Sequence, residues 1–168
     1  FLVSLIEHKT YVDYNVSMQI LRYMVYIWED YEKEMNRLHE SDKTVKIKSQ
    51  KEFKYPVILP IVYYEGKQEW TAPLELKERI WLQEEFARYI PNFAYELIQL
   101  NHYTNETLLS HKDEISLIMM FNKLQNISDV DEIREIRLEE MESIVRNTPE
   151  YLLEVVAKVI REIGRAHV

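Results

Sequence analysis

Two apolar runs, FLVSLIEHK (residues 1–9) and VILPIVYY (residues 57–64), are separated by one long stretch of helical spacing, and this order restricts the fold more than any other feature. Between them Val16, Ile20, Tyr23, Met24, Ile27, Tyr31, Met35 and Leu38 recur at the three- and four-residue intervals of one helix face. A strand, a helix and a second strand in that order predict a parallel pair joined by a right-handed crossover. A helix over residues 15–38 is roughly 36 Å long, enough to carry the chain back along the first strand. Both faces of residues 1–9 are mainly apolar, so that strand is expected to be covered on both sides, and residues 57–64 read as a buried strand. Asp13 or Asn15 is placed to cap the helix.

Downstream, Glu65-Gly66 closes the second strand. Residues 74–89 have a helical pattern that stops near Pro91, and residues 93–100 are expected to add one more strand. From Asn105 the pattern is helical, with candidate helices at 112–124 and 130–145 and a last one entered through Thr148-Pro149. The expected organisation is an α/β core over residues 1–103 and a helical C-terminal region over 104–162. Residues 163–168, IGRAHV, read as a translated adapter and are set apart, so the chain is expected to be a fragment cut at both ends.

Composition removes several chemistries. There is no cysteine, hence no disulfide framework or thiolate zinc site. The only glycines are Gly66 and Gly164, so no glycine-rich phosphate loop or dinucleotide fingerprint can form. The histidines at 8, 39, 102, 111 and 167 show no paired ligand spacing. The net charge of −8 gives no general basic footprint, and any contact with DNA has to come from a local patch. No apolar run is long enough to cross a bilayer, so no membrane partner is expected, and a cytoplasmic protein fits the cysteine-free composition.

What remains is the end of the first run. Strand side chains alternate, so Glu7 and Lys9 project from the same face. An E-x-K pair there is either a surface ion pair or the rim of a site, and open α/β sheets place ligand sites at the carboxyl ends of their strands. Gln19, Tyr23 and Tyr26 put polar groups on one flank of the following helix, and Gln19 can either satisfy a backbone group or reach Glu7 and Lys9. Asp13 is a candidate second ligand, although a helix cap is the preferred reading. The turn after the second strand returns to the same edge and offers Lys67 as a phosphate contact, while Trp70 reads as core packing. The lysines at 43, 46, 48, 51 and 54 enter from the opposite end of the sheet and read as a solvated loop.

The segments LIEHKTYVDYNVSMQILRYMVYIWEDYEKE and YPVILPIVYYEGKQEWTAPLEL resemble the recombination-promoting nuclease family, also called YhgA-like transposases, within the PD-(D/E)XK nuclease superfamily. The resemblance covers most of residues 2–100. It implies a truncated PD-(D/E)XK core in which the chain supplies the third strand, second helix and fourth strand of an αβββαβ arrangement, followed by a helical region. On that resemblance Glu7 is the acidic metal ligand, Lys9 the motif lysine that acts on water, and Gln19 the helix glutamine beside them. The metal-binding Asp would come from a preceding strand, so the fragment alone is expected to be inactive. The implied parent is a Mg²⁺-dependent DNA endonuclease linked to recombination or mobile elements, and no DDE-type transposition site is visible. The alternative is a catalytically silent DNA-binding or protein-interaction module of the same fold. The C-terminal stripe Leu152, Val155, Val156, Val159 and Ile160 serves either packing onto the core or a homodimer contact.

Overall fold

A computed structural model of the chain describes residues 2–41, 53–111 and 113–123, together with Arg146, Pro149, Glu150 and Glu154. Strand β1 (Leu2–Lys9) leads into helix α1 (Val16–Ser41), which returns the chain to strand β2 (Val57–Tyr64). β1 and β2 pair in parallel without a bulge, from Leu2 opposite Val57 to Lys9 opposite Tyr64. A short third strand, β3 (Glu96–Gln99), completes a sheet of order β1-β2-β3. The expected strand–helix–strand unit and the further strand are both present. The mixed α/β class therefore holds.

The chain divides into two compact units, residues 1–64 with 68–98, and residues 65–67 with 99–168. In the first, Val16, Ile20 and Met24 of α1 pack with Ile58 and Val62 of β2 and with Tyr95, and Ile20 is fully buried. Val3, Leu5 and Trp28 pack around this core, and Trp28 also donates its indole N–H to the Pro56 carbonyl at 2.9 Å. That bond ties α1 to the chain just before β2 begins. Trp70 packs edge-on against Tyr64 and donates to the Tyr95 hydroxyl at 3.0 Å, which is the packing role read for it.

In the second unit, α2 (Asn105–His111) and α3 (Glu114–Asn122) fall in the region expected to be helical. Thr104 Oγ1 accepts from the Thr107 N–H at 3.1 Å, and Asp113 Oδ1 accepts from the Ser116 N–H at 2.8 Å. Each satisfies a backbone donor that a helix start would otherwise leave unpaired. Leu100, Leu108 and Met120 are buried there. The lysine-rich connector from 42 to 52, the candidate helix 130–145 and the stripe from Leu152 to Ile160 lie outside the described residues.

Two expectations are corrected. Residues 74–89 do not form an α-helix. They make two short 3-10 segments (Leu76–Arg79 and Ala87–Tyr89) joined by turns. The backbone of Leu74 and Leu76 is bonded instead to Tyr95 and Phe93, at 3.2 and 3.1 Å, around an antiparallel bridge between Glu75 and Ala94. Leu82 has φ of 56°, outside the helical region. Trp81 is 93% exposed, and Leu82, Phe86 and Tyr89 are exposed with it, so beyond Leu76 the segment buries no continuous apolar stripe to stabilise a helix.

The second correction concerns the sheet. The inner face, with Val3 and Leu5, meets the core, but Leu2, Ile6, Val57 and Leu59 on the other face are exposed. β1 and β2 are thus half-buried by alternation rather than covered on both sides. Ile20→Ala is expected to lower stability by about 2–5 kcal/mol, as a buried large-to-small change. Ile6→Thr and Trp81→Ser should each change it by less than about 0.5 kcal/mol, because neither side chain leaves a packed site. Urea unfolding midpoints of the three variants check this ranking.

Candidate functional site

Lys9 is the last residue of β1, and the inner-face alternation that half-buries Val3 and Leu5 carries Glu7 and then Lys9 to the same side. Only 9% of Lys9 is exposed. An ammonium so enclosed needs acceptors, since a buried unpaired charge is costly. It has three: Glu7 Oε1 at 3.0 Å, Asp13 Oδ2 at 2.8 Å and Gln19 Oε1 at 2.8 Å. These equal the three N–H donors of a lysine ammonium.

Gln19 lies in the first turn of α1 and is placed by its neighbour Ile20, which is locked into the core. Its amide is used at both ends. The oxygen accepts from Lys9, while Nε2 donates to Glu7 Oε1 at 2.8 Å and to the Tyr23 hydroxyl at 3.0 Å. Glu7 Oε1 therefore receives both Lys9 and Gln19. The structure brings Glu7, Lys9 and Gln19 into one hydrogen-bonded cluster at the carboxyl end of β1.

Asp13 has two jobs. Oδ1 accepts from the Asn15 N–H at 2.8 Å, closing a side-chain turn just before α1, and Oδ2 pairs with Lys9. Asn15 begins the helix, its carbonyl accepting from the Gln19 N–H at 3.1 Å. The bond to Asn15 lies ahead of Val16, the first residue of α1, so Asp13 closes the entry turn with one oxygen and serves Lys9 with the other. The signal was the four-residue spacing of Lys9 and Asp13 across a short turn. Tyr23 as a partner of Gln19 was legible in their i, i+4 spacing. Tyr14, unremarked in the sequence, bonds Thr71 Oγ1 at 2.6 Å and tethers the same turn to the segment after β2.

Lys67 is exposed and follows β2 in the chain, within the second unit. Of the histidines, His8 stacks on Tyr63 with ring centres 5.9 Å apart, on the outer face of the sheet. Among the described residues no group of three or more His, Asp or Glu is placed to hold a metal ion. Glu7 presents one carboxylate, the type of hard oxygen ligand that a cation such as Mg²⁺ takes.

The protonation states follow from the contacts. Burial by itself would lower the Lys9 ammonium, but the hydrogen bonds it donates to Asp13 and Glu7 and their negative charges outweigh it, and Lys9 is raised above 10.5. Burial likewise would raise Asp13, but the bonds from Lys9 and the Asn15 N–H prevail and hold it below 3.8. A lowered carboxylate contributes stability above its unfolded value that is lost as pH falls through the folded one. A raised ammonium contributes below its unfolded value and loses that contribution as pH rises through the folded one. Asp13→Asn should therefore cost about 1–3 kcal/mol at neutral pH, in the range of hydrogen bonds to charged groups. The gap from wild type should shrink as pH drops below 3.8 and again as it rises past 10.5, and urea melts across pH check both limbs.

No curated protein and no solved structure matches the chain significantly. A family model described as "Putative transposase, YhgA-like" matches residues 1–151, which takes in both strands of the E-x-K unit, α1 and the described helices α2 and α3. The chain belongs to the YhgA-like transposase family.

Proposed function

We propose that the chain carries the E-x-K half of a Mg²⁺-dependent DNA endonuclease that hydrolyses phosphodiester bonds. The observation that supports this most is the convergence of Glu7, Lys9 and Gln19 at the carboxyl end of a parallel strand, where open α/β sheets place their ligands. Membership of a family of transposase type agrees with DNA as the substrate.

On this reading Glu7 would offer a carboxylate oxygen to the cation, and the His8 carbonyl would be a second donor. When bound, Mg²⁺ supplies Lewis acidity and lowers the pKa of a coordinated water. Lys9 contributes a fixed positive charge and N–H donors toward the scissile phosphate, the type of placed charge that is often the largest catalytic term. Gln19 keeps Glu7 and Lys9 in register, because its amide bonds both. Lys67, exposed after β2, is proposed as a phosphate contact outside the chemistry.

A second reading has one observation in its favour. Every donor of Lys9 is already taken within the chain, as expected of a silent DNA-binding or protein-interaction module whose ion cluster is purely structural. Plasmid nicking by the protein expressed from its full reading frame separates the two. Mg²⁺-dependent cutting that EDTA abolishes, and that falls by about 10²–10³ in Glu7→Ala and Lys9→Ala, is the expected result. Binding to DNA without cutting would favour the silent module, and cutting that survives both substitutions would place the active site elsewhere. Lys67→Ala should weaken binding to all sequences alike and reduce the slope of log affinity against log salt by about 1, as read by salt titration of DNA binding.

A further inference from the structure

Between Leu76 and Asn92 the chain carries four large apolar side chains that no described residue covers. Trp81 is 93% exposed, Tyr89 67%, Leu82 60% and Phe86 50%. An aromatic side chain hides roughly 150–250 Å² when fully buried, so these four leave on the order of 500 Å² of apolar surface in water. Isolated apolar side chains on a surface are ordinary, whereas a patch of this size marks an interaction site.

The segment is fixed in place before anything binds. At its foot the Leu76 N–H donates to the Phe93 carbonyl at 3.1 Å and the Tyr95 N–H to the Leu74 carbonyl at 3.2 Å. Asn92 ties the same foot with its side chain, accepting from the Lys77 N–H at 3.0 Å and donating to Glu75 Oε2 at 2.8 Å. Farther out, the Phe86 N–H donates to the Leu82 carbonyl at 3.0 Å, and the ring centres of Phe86 and Tyr89 stand 6.5 Å apart. Leu82 has φ of 56°, a conformation that favours glycine, and it turns the chain directly after Trp81. Apolar groups already held in place lose little freedom on association, which favours binding.

The charges beside the patch select the occupant. Glu84 and Glu85 stand four and three residues before Arg88, yet none of the three joins a salt bridge among the described residues. The Arg88 guanidinium lies instead over the Tyr89 ring, 4.7 Å from its centre. Two adjacent carboxylates repel the phosphates of a nucleic acid and of an anionic lipid surface alike. A surface with both signs unspent around an aromatic centre is complementary to itself. We propose that this surface is an isologous interface at which two copies of the chain associate. About the two-fold axis Arg88 of each copy faces Glu84 and Glu85 of the other, and the aromatic groups of the two copies pack between them. The apolar area is below the roughly 800 Å² per partner of a standard stable complex, so the dimer is weak, with a Kd on the order of 10 μM.

Sedimentation equilibrium of the protein from its full reading frame, over a range of concentrations, tests this. Wild type should pass from monomer to dimer, and Trp81→Ser should weaken association at least about 30-fold, as loss of an interface anchor does. Trp81 has no packed site within one copy, so urea midpoints of wild type and Trp81→Ser should coincide at concentrations below the Kd, which separates lost association from lost folding. Arg88→Glu makes the charges all negative and Glu84→Lys/Glu85→Lys makes them all positive. Each of these proteins alone should be monomeric, and an equimolar mixture should form dimers. A wild type that stays monomeric to about 1 mM overturns the interface, and so does a dimer that Trp81→Ser leaves unchanged. A mixture of the two charge variants that fails to associate overturns the isologous pairing. A monomer whose Trp81 fluorescence responds to single-stranded DNA or to anionic vesicles would give the patch to that partner and exclude the second copy.

Discussion

Ile20 is completely buried against the inner face of the β1–β2 ladder, and the residue before it is Gln19. The packing of this one side chain sets the rotation of α1 about its axis. With the rotation set, Gln19 is brought within 2.8 Å of both Lys9 and Glu7, and Tyr23, one turn on, stands behind it. Val16 and Met24 continue the same buried stripe, so the register is held over more than two turns. A site assembled from one strand and one helix depends on their relative placement to within a fraction of an ångström. Here the apolar core supplies that placement, and the polar groups follow it.

The polar cluster is closed on itself. One ammonium faces two carboxylates and an amide, and the amide links back to one of the carboxylates. Such a network is stable only because every member is satisfied, and removing one leaves another buried and unpaired. The same closure bears on chemistry. A lysine with no spare donor cannot meet a phosphate until a partner is withdrawn, so partner exchange is a built-in requirement of any catalytic role for Lys9.

Much of this was legible in the residues. The strand–helix–strand order and the shared face of Glu7 and Lys9 follow from period-two and period-3.6 patterns, which report backbone geometry directly. The patterns say less about what lies opposite a face. Residues 74–89 repeat with helical spacing, yet Leu76 is the part that is buried, and its backbone bonds to Phe93, a partner distant in sequence. Long-range bonding overrode local spacing. In the same way the mainly apolar faces of β1 suggested cover on both sides, whereas Ile6 is 65% exposed in the folded chain. Asp13 was only partly legible, since a local rule for helix starts does not foresee that its two oxygens serve the entry turn and Lys9.

The length of the connections explains why the charged groups collect at one end of the sheet. In a parallel ladder both strands finish on the same side, here with Lys9 opposite Tyr64. From Lys9 the chain has only residues 10–15 in which to turn and start α1. So short a turn leaves little choice of path. A side chain four residues beyond Lys9 must come back over the strand end, which is where Asp13 Oδ2 meets Nζ. The β1–α1 turn is thus the place where chain connectivity itself enforces contact between ionisable groups, and an insertion that lengthened it would separate Asp13 from Lys9 while leaving the apolar packing of Ile20 intact.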